Sequence, residues 1–270
     1  MTRLGSDDAH YRVALPDRPG EQVALSFAAV SDVGLRRHAN EDSVIVRPPV
    51  FAVADGMGGH AAGDLASAAV VARLAELAGR DGVDAERVAA ALTTAAQDID
   101  GLAEDIPRGV GTTVTGAVLD LRGPSFGVFN VGDSRVYSYL DDRLVQLTVD
   151  HSVVQELIDA GMLSLEDAER HPESNVITRA LGFREVPRPD FWSIPLQPGL
   201  RLLICSDGLT RELTTTQLRT ELGAGRPAGA TAQALVDAAL EAGGRDNVTV
   251  VIVDVLESPE AVATPDWERF

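Results

Sequence analysis

Residues 112–148 read TTVTGAVLDLRGPSFGVFNVGDSRVYSYLDDRLVQLT, four β-rich runs with no helical stretch between them. The runs fall at 112–120, 125–131, 135–140 and 143–148, with Gly, Pro and Asp at the joins. Strands linked this tightly turn back on one another, because a parallel pair needs a crossover of a dozen residues or more. Asp141-Asp142 has the two-residue length of a tight hairpin. Working outward, short β-rich runs precede the block at 25–30, 43–47 and 50–54, and others follow at 191–194, 200–205 and 247–255. Helical spacing marks 62–79 and 84–101, with Asp84 placed to cap the second helix. Helical spacing returns in the broken segment 151–182 and near 214–222 and 229–242. Regular βαβ alternation is missing, so the spacing predicts an α+β fold of antiparallel sheets with helices packed outside.

The 270 residues are 45% hydrophobic and 24% charged, enough to bury one large core. Forty-one acidic against 23 basic residues leave a net charge of -18, which repels phosphate backbones and anionic lipid. Nucleic acid and membrane surfaces are therefore excluded as expected partners. One cysteine forbids an internal disulfide or an all-cysteine metal site and suits a reducing compartment. No run reaches the length of a membrane span, and MTRLGSDDAHYR lacks a signal-peptide core, so the expected location is cytoplasmic. Residues 1–21 and 258–270 read as loosely ordered tails around a domain at 22–257.

Acidic residues mark the ends of the apolar runs. Asp55 closes FAVA and precedes GMGG; Asp133 closes FNVG; Asp207 closes LLICS and precedes Gly208; Asp246 stands between Gly244-Arg245 and the run from Asn247. Any one of these is also an ordinary Asp-Gly turn. Four carboxylates drawn together repel one another unless a cation lies between them, and an all-oxygen ligand set favours Mg²⁺ or Mn²⁺. In SDVGLRRHANED (31–42), Arg36 or Arg37 precedes the acidic pair Glu41-Asp42. A guanidinium there can grip a phosphate with two donors; the bland alternative is an exposed charged loop.

Two further patterns carry less. GMGGHA (56–61) matches a dinucleotide fingerprint, but Asp55 would crowd a pyrophosphate and two helices follow where a parallel strand is required. Cys205 and Arg211 have the spacing of cysteine-dependent phosphatases. Cys205 lies in an apolar run after Ile204, and Asp207 would put negative charge inside the phosphate cradle.

The chain resembles the metal-dependent protein phosphatases, the PPM or type 2C serine/threonine phosphatases, in their bacterial form. The motifs run in family order: SDVGLRRHANEDS (31–43), VADGMGGHAAG (53–63), GTTVTGAV (111–118), FNVGDSRVY (129–137), LTVDHS (147–152), SDGL (206–209) and GRDNVTVV (244–251). The resemblance implies a four-layer α/β/β/α sandwich with two central antiparallel sheets and a helical flap insert at about 151–190. It implies two Mn²⁺ or Mg²⁺ ions per chain, and a third, weaker one. Asp55 is then the ligand bridging both ions, with the Gly56 carbonyl on one and Asp207 and Asp246 on the other. Glu41 acts through water with Asp42 supporting it, and Asp133 with Asp207 holds the third ion. Arg37 is the phosphate-binding arginine.

Family members with a D-G-H sequence use that histidine as general acid; here Met57 follows Gly56, and His60 is the candidate. The implied activity is a serine/threonine phosphoprotein phosphatase in which a metal-activated hydroxide attacks the phosphomonoester directly, with no phosphoenzyme. Implied partners are phosphoserine and phosphothreonine proteins, either Ser/Thr kinases or their substrates. The alternative is a catalytically silent phosphoprotein-binding module of the same fold, which the presence of Asp55, Asp207 and Asp246 disfavours.

Overall fold

The computed structural model describes residues 1–58, 62–80, 82–102, 109–168, 171–183, 186 and 188–259. The chain begins with β1 (Thr2–Gly5), β2 (Asp8–Ala14), β3 (Gln22–Asp32), β4 (Ser43–Arg47), β5 (Val50–Ala54) and β6 (Gly56–Met57). Helices α1 (Ala62–Ala75) and α2 (Ala85–Leu102) follow, then β7 (Gly111–Thr112), β8 (Val114–Asp120), β9 (Ser125–Val131), β10 (Arg135–Leu140) and β11 (Arg143–Gln146). The next segment holds α3 (Val153–Asp159), α4 (Leu165–Ala168), β12 (Leu181–Gly182), β13 (Asp190–Pro195) and β14 (Arg201–Cys205). The last elements are α5 (Asp207–Thr210), α6 (Thr215–Leu222), α7 (Ala228–Ala242) and β15 (Val248–Glu257).

Two six-stranded sheets stack, with orders β1-β4-β5-β8-β9-β13 and β11-β10-β14-β15-β3-β2, and β12-β7-β6 form a small third sheet. Side-chain alternation builds the layers. On β15, Val251, Val253 and Val255 point into the core between the sheets, where Phe27, Phe51 and Phe126 also lie. Val248, Val250 and Ile252 point the other way and pack under α6 and α7. On β5, Phe51 and Val53 face the sheet-to-sheet core, while Val50, Ala52 and Ala54 face α1 and α2. Strands apolar on both faces are covered on both faces, which gives the α/β/β/α order. Asp84 caps α2, its Oδ1 accepting from the Arg87 amide at 2.9 Å. The Asp141-Asp142 hairpin has positive φ at both residues, 49° and 62°, the primed turn that matches strand twist.

Three expectations are corrected. Residues 1–21 are not a loose tail: β1 pairs in parallel with β4 from Thr2↔Ser43 to Gly5↔Val46, and β2 pairs with β3. The first sheet is therefore not wholly antiparallel. These edge strands are mostly polar, yet Leu4, Tyr11 and Val13 recur at positions that pack on the core, and Leu15 is buried. The run 112–120 is interrupted at Thr113, whose amide turns to the Asp55 carbonyl at 2.9 Å. The first helix ends at Ala75, and a turn carries the chain to Gly79, where φ is +75°. Of the expected C-terminal tail, 260–270 lies outside the described residues.

Candidate metal centre and active site

The strand registers carry the acids to one end of the sandwich. Ser43 is opposite Ala54, so Asp42 at the head of β4 and Asp55 at the tail of β5 emerge side by side. In the other sheet Cys205 is opposite Val250 and Val248 opposite Asp32, which brings Asp207 beside Asp246. Asp133 follows β9, whose Val131 pairs with Val114. Asp55, Asp133, Asp207 and Asp246 line one cavity of about 430 Å³ together with Glu41 and Gly56. The sequence-predicted acids are thus brought together. His60 lies outside the described residues.

Burial sets their electrostatics. Desolvation raises Asp55 well above the ordinary carboxylate range, and Asp42, Asp207, Asp133 and Asp246 add to it. Asp133 is pushed up to about 7, first by burial and then by the charge on Asp207. Burial raises Asp207 too, against the pull of Arg211. Buried carboxylates that crowd one another in this way are relieved by a cation placed between them. Asp207 Oδ1 is buried with no hydrogen-bond partner, a further mark of an oxygen meant for a metal. Among the described residues no three acidic, His or Cys side chains yet close on a common point. Arginines meet them instead: Arg37 Nη2 donates to Asp246 Oδ2 at 2.7 Å, and Arg211 Nη2 lies 2.5 Å from Asp207 Oδ2. The oxygen-only donor set and the orphaned Oδ1 fit hard divalent cations.

The loop 33–41 is held from below. Asn247 Oδ1 accepts from the Glu41 amide at 2.8 Å, and its Nδ2 donates to the carbonyls of Val33 and Ala39 at 2.9 and 3.0 Å. Asp42 is fully buried and pushed up to about 7, chiefly by desolvation. Its Oδ2 accepts from Ser206 at 2.9 Å and Thr249 at 2.5 Å. Glycine is obligatory where these segments touch. A Cβ on Gly208 would stand 1.9 Å from the Asn247 carbonyl oxygen, and one on Gly56 would stand 2.1 Å from that of Gly63.

Sequence reasoning missed several groups. Arg211 reaches both Asp207 and Asp133, and its only sequence signal was the spacing from Cys205. Arg36, which the sequence offered as the alternative to Arg37, lines the cavity beside it, and the expected flap segment 151–190 contributes Asn175 and Ile177, which the sequence did not single out. Cys205 packs among Leu203, Leu209 and Val250 on the helix side of its sheet, with burial pushing the thiol up to about 12. That position removes it from the cavity chemistry.

The family model described as protein phosphatase 2C matches residues 39–242. The chain belongs to the protein phosphatase 2C family. Among curated phosphatase 2C relatives it is 40% identical over 239 residues to the serine/threonine protein phosphatase PstP of Mycobacterium tuberculosis, covering 87% of this chain and 46% of PstP. The chain thus spans about half the length of that relative. The serine/threonine phosphatase stp of Listeria monocytogenes is 36% identical, with 83% of this chain and 93% of stp covered. The crystal structure of M. tuberculosis PstP/Ppp superposes with a TM-score of 0.81 at 39% identity, covering 87% of this chain and all of that one. The PstP catalytic domain in complex with two manganese ions superposes at 0.79 and 39% identity, covering 87% of this chain and 99% of that one. No helix among the described residues is long and apolar enough to cross a membrane.

Proposed function

We propose that the chain is a metal-dependent serine/threonine phosphoprotein phosphatase. The observation that carries this is the meeting of four strand-end aspartates in one cavity, buried and raised in pKa, with arginines at the rim. Asp55, the Gly56 carbonyl, Asp207 and Asp246 would hold two Mn²⁺ or Mg²⁺ ions, with Glu41 acting through water. When bound, such ions lower the pKa of water towards neutrality and offset phosphate charge. Arg37, half exposed and resting on Asp246, would turn its planar donors onto a phosphoryl group. Asp42 and Asn247 hold the loop that carries Arg37 and Glu41. Hydrolysis in this reading is direct: the one thiol is buried, protonated and turned away, so it cannot accept the phosphoryl group. The substrates in this reading are phosphoproteins made by Ser/Thr kinases, in the cytoplasm.

The test is phosphate release from a phosphothreonine peptide with Mn²⁺, with excess EDTA, and with Asp55→Asn. Turnover should require Mn²⁺ and fall at least ~10³-fold in the variant. Turnover indifferent to EDTA and to the substitution would overturn the metal reading. No turnover under any condition would favour a silent binding module.

A further inference from the structure

Arg211 enters the cavity from the end of α5 and serves two buried acids at once. Its Nη2 lies 2.5 Å from Asp207 Oδ2 and 3.4 Å from Asp133 Oδ2. Both carboxylates are about 11% exposed, whereas the arginine is 38% exposed and reaches in from the rim. Its backbone is fixed on both sides. The Arg211 amide donates to the Asp207 carbonyl at 2.9 Å, and its carbonyl accepts from Arg245 Nη2 at 3.0 Å. Arg245 in turn is clamped on Glu212 through Nε and Nη2 at 2.9 and 3.2 Å. The guanidinium is therefore delivered by an anchored backbone.

The oxygens of Asp207 are divided. Oδ2 is taken by Arg211, while Oδ1 is buried and has no hydrogen-bond partner. One oxygen faces a fixed positive charge, and the other is left for a cation in the cavity that Asp207 lines with Asp55. Two carboxylates this buried need a compensating charge, and a guanidinium that bridges them supplies it.

We infer that Arg211 is the built-in cation of the Asp133–Asp207 pair, so that this chain holds two divalent ions and fills the place of a third with its own side chain. The inference rests on the metal-centre reading above. It makes Arg211 a positioning residue that sets metal stoichiometry, and metal binding itself is the readout.

The test is equilibrium dialysis of the full chain against MnCl₂, with bound metal counted by atomic emission. The wild-type chain should saturate near two ions and Arg211→Ala near three, with the extra ion lost again in Arg211→Ala/Asp133→Asn. Arg211→Met keeps the stem of the side chain and should also gain the ion, which guards against an alanine variant that fails to fold. Wild type binding three ions, or both Arg211 variants saturating at the wild-type number, would overturn the inference alone. A chain that binds no Mn²⁺ in any form would overturn the metal-centre reading and this inference with it.

Discussion

Ser206, just past β14 in one sheet, donates its hydroxyl to Oδ2 of Asp42, at the head of β4 in the other, across 2.9 Å. Thr249 donates to the same oxygen, and the donors line up behind it. Asn40 Nδ2 donates to Ser31, which lies 2.7 Å from Thr249; because Thr249 spends its hydrogen on Asp42, Ser31 donates to Thr249. One buried carboxylate thus ties both sheets together beneath the acidic cavity.

The acids make the metal-free chain unusually sensitive to base. Burial raises Asp42 and Asp133 from 3.8 to about 7, so the folded state binds more protons than the unfolded state between those values. Stability from such groups is present at low pH and lost as pH rises through the folded pKa. His151, lowered chiefly by burial, works in the opposite sense, but only below its ordinary value of 6.5. The EDTA-treated chain should lose ~3 °C in Tm between about pH 6.5 and 7.5, the tail of a loss that begins near pH 4, and Mn²⁺ should restore most at the upper end. Scanning calorimetry across that range checks it; a flat or rising profile would count against the buried-acid account.

Asn247 should behave as a support for the cavity. Replacing it with Ala removes three hydrogen bonds and frees the loop carrying Arg37 and Glu41. Stability should fall by about 2 kcal/mol. Activity on a phosphopeptide should fall ~10- to 100-fold while the far-ultraviolet spectrum stays native. Denaturant unfolding and steady-state kinetics on one preparation separate the two effects. Wild-type kcat/KM in the variant would show that the loop needs no such anchor.

How far the sequence could be read follows from where its partners lie. The central strands were legible because cover on both faces leaves apolar runs with little interruption, as in Val50–Ala54 and Val248–Val255. Their acids were legible because an Asp beside Gly breaks such a run at the sheet end. The edge strands β1 and β2 were not, since only a few residues such as Leu4, Tyr11 and Val13 pack, partly buried, against the core among polar neighbours that face water. Nor were Arg211 and Asn247: Arg211 meets Asp133 across 78 residues, and Asn247 meets Glu41 across 206. No local pattern records contacts of that separation.

Cys205 should be dispensable for catalysis. Its thiol is fully buried, sits among apolar side chains under the helices and is pushed up to about 12. Cys205→Ala should keep kcat within ~2-fold and cost about 1 kcal/mol of stability from the lost packing. Iodoacetamide should label the folded wild-type chain only slowly at neutral pH. Loss of turnover in a variant that remains folded would reopen a thiol mechanism.

Gly208 and Gly229 make opposed predictions for the same substitution. A methyl on Gly208 would meet the Asn247 carbonyl oxygen at 1.9 Å, and that carbonyl is backbone of the segment joining Asp246 to β15. The clash forces the start of α5 away from Asp246, so Gly208→Ala should destabilise the chain by ~2–4 kcal/mol and weaken Mn²⁺ binding. A methyl on Gly229, in the first turn of α7, meets only the Ala28 methyl at 3.7 Å, an ordinary contact. Gly229→Ala should therefore stabilise the chain by ~0.5 kcal/mol through the lower backbone freedom of its unfolded state, with metal binding unchanged. Urea unfolding of both variants, with and without Mn²⁺, reads the contrast directly. A Gly208→Ala chain as stable and as tightly metal-binding as Gly229→Ala would mean that the approach of α5 to the Asp246 segment is looser than 1.9 Å implies.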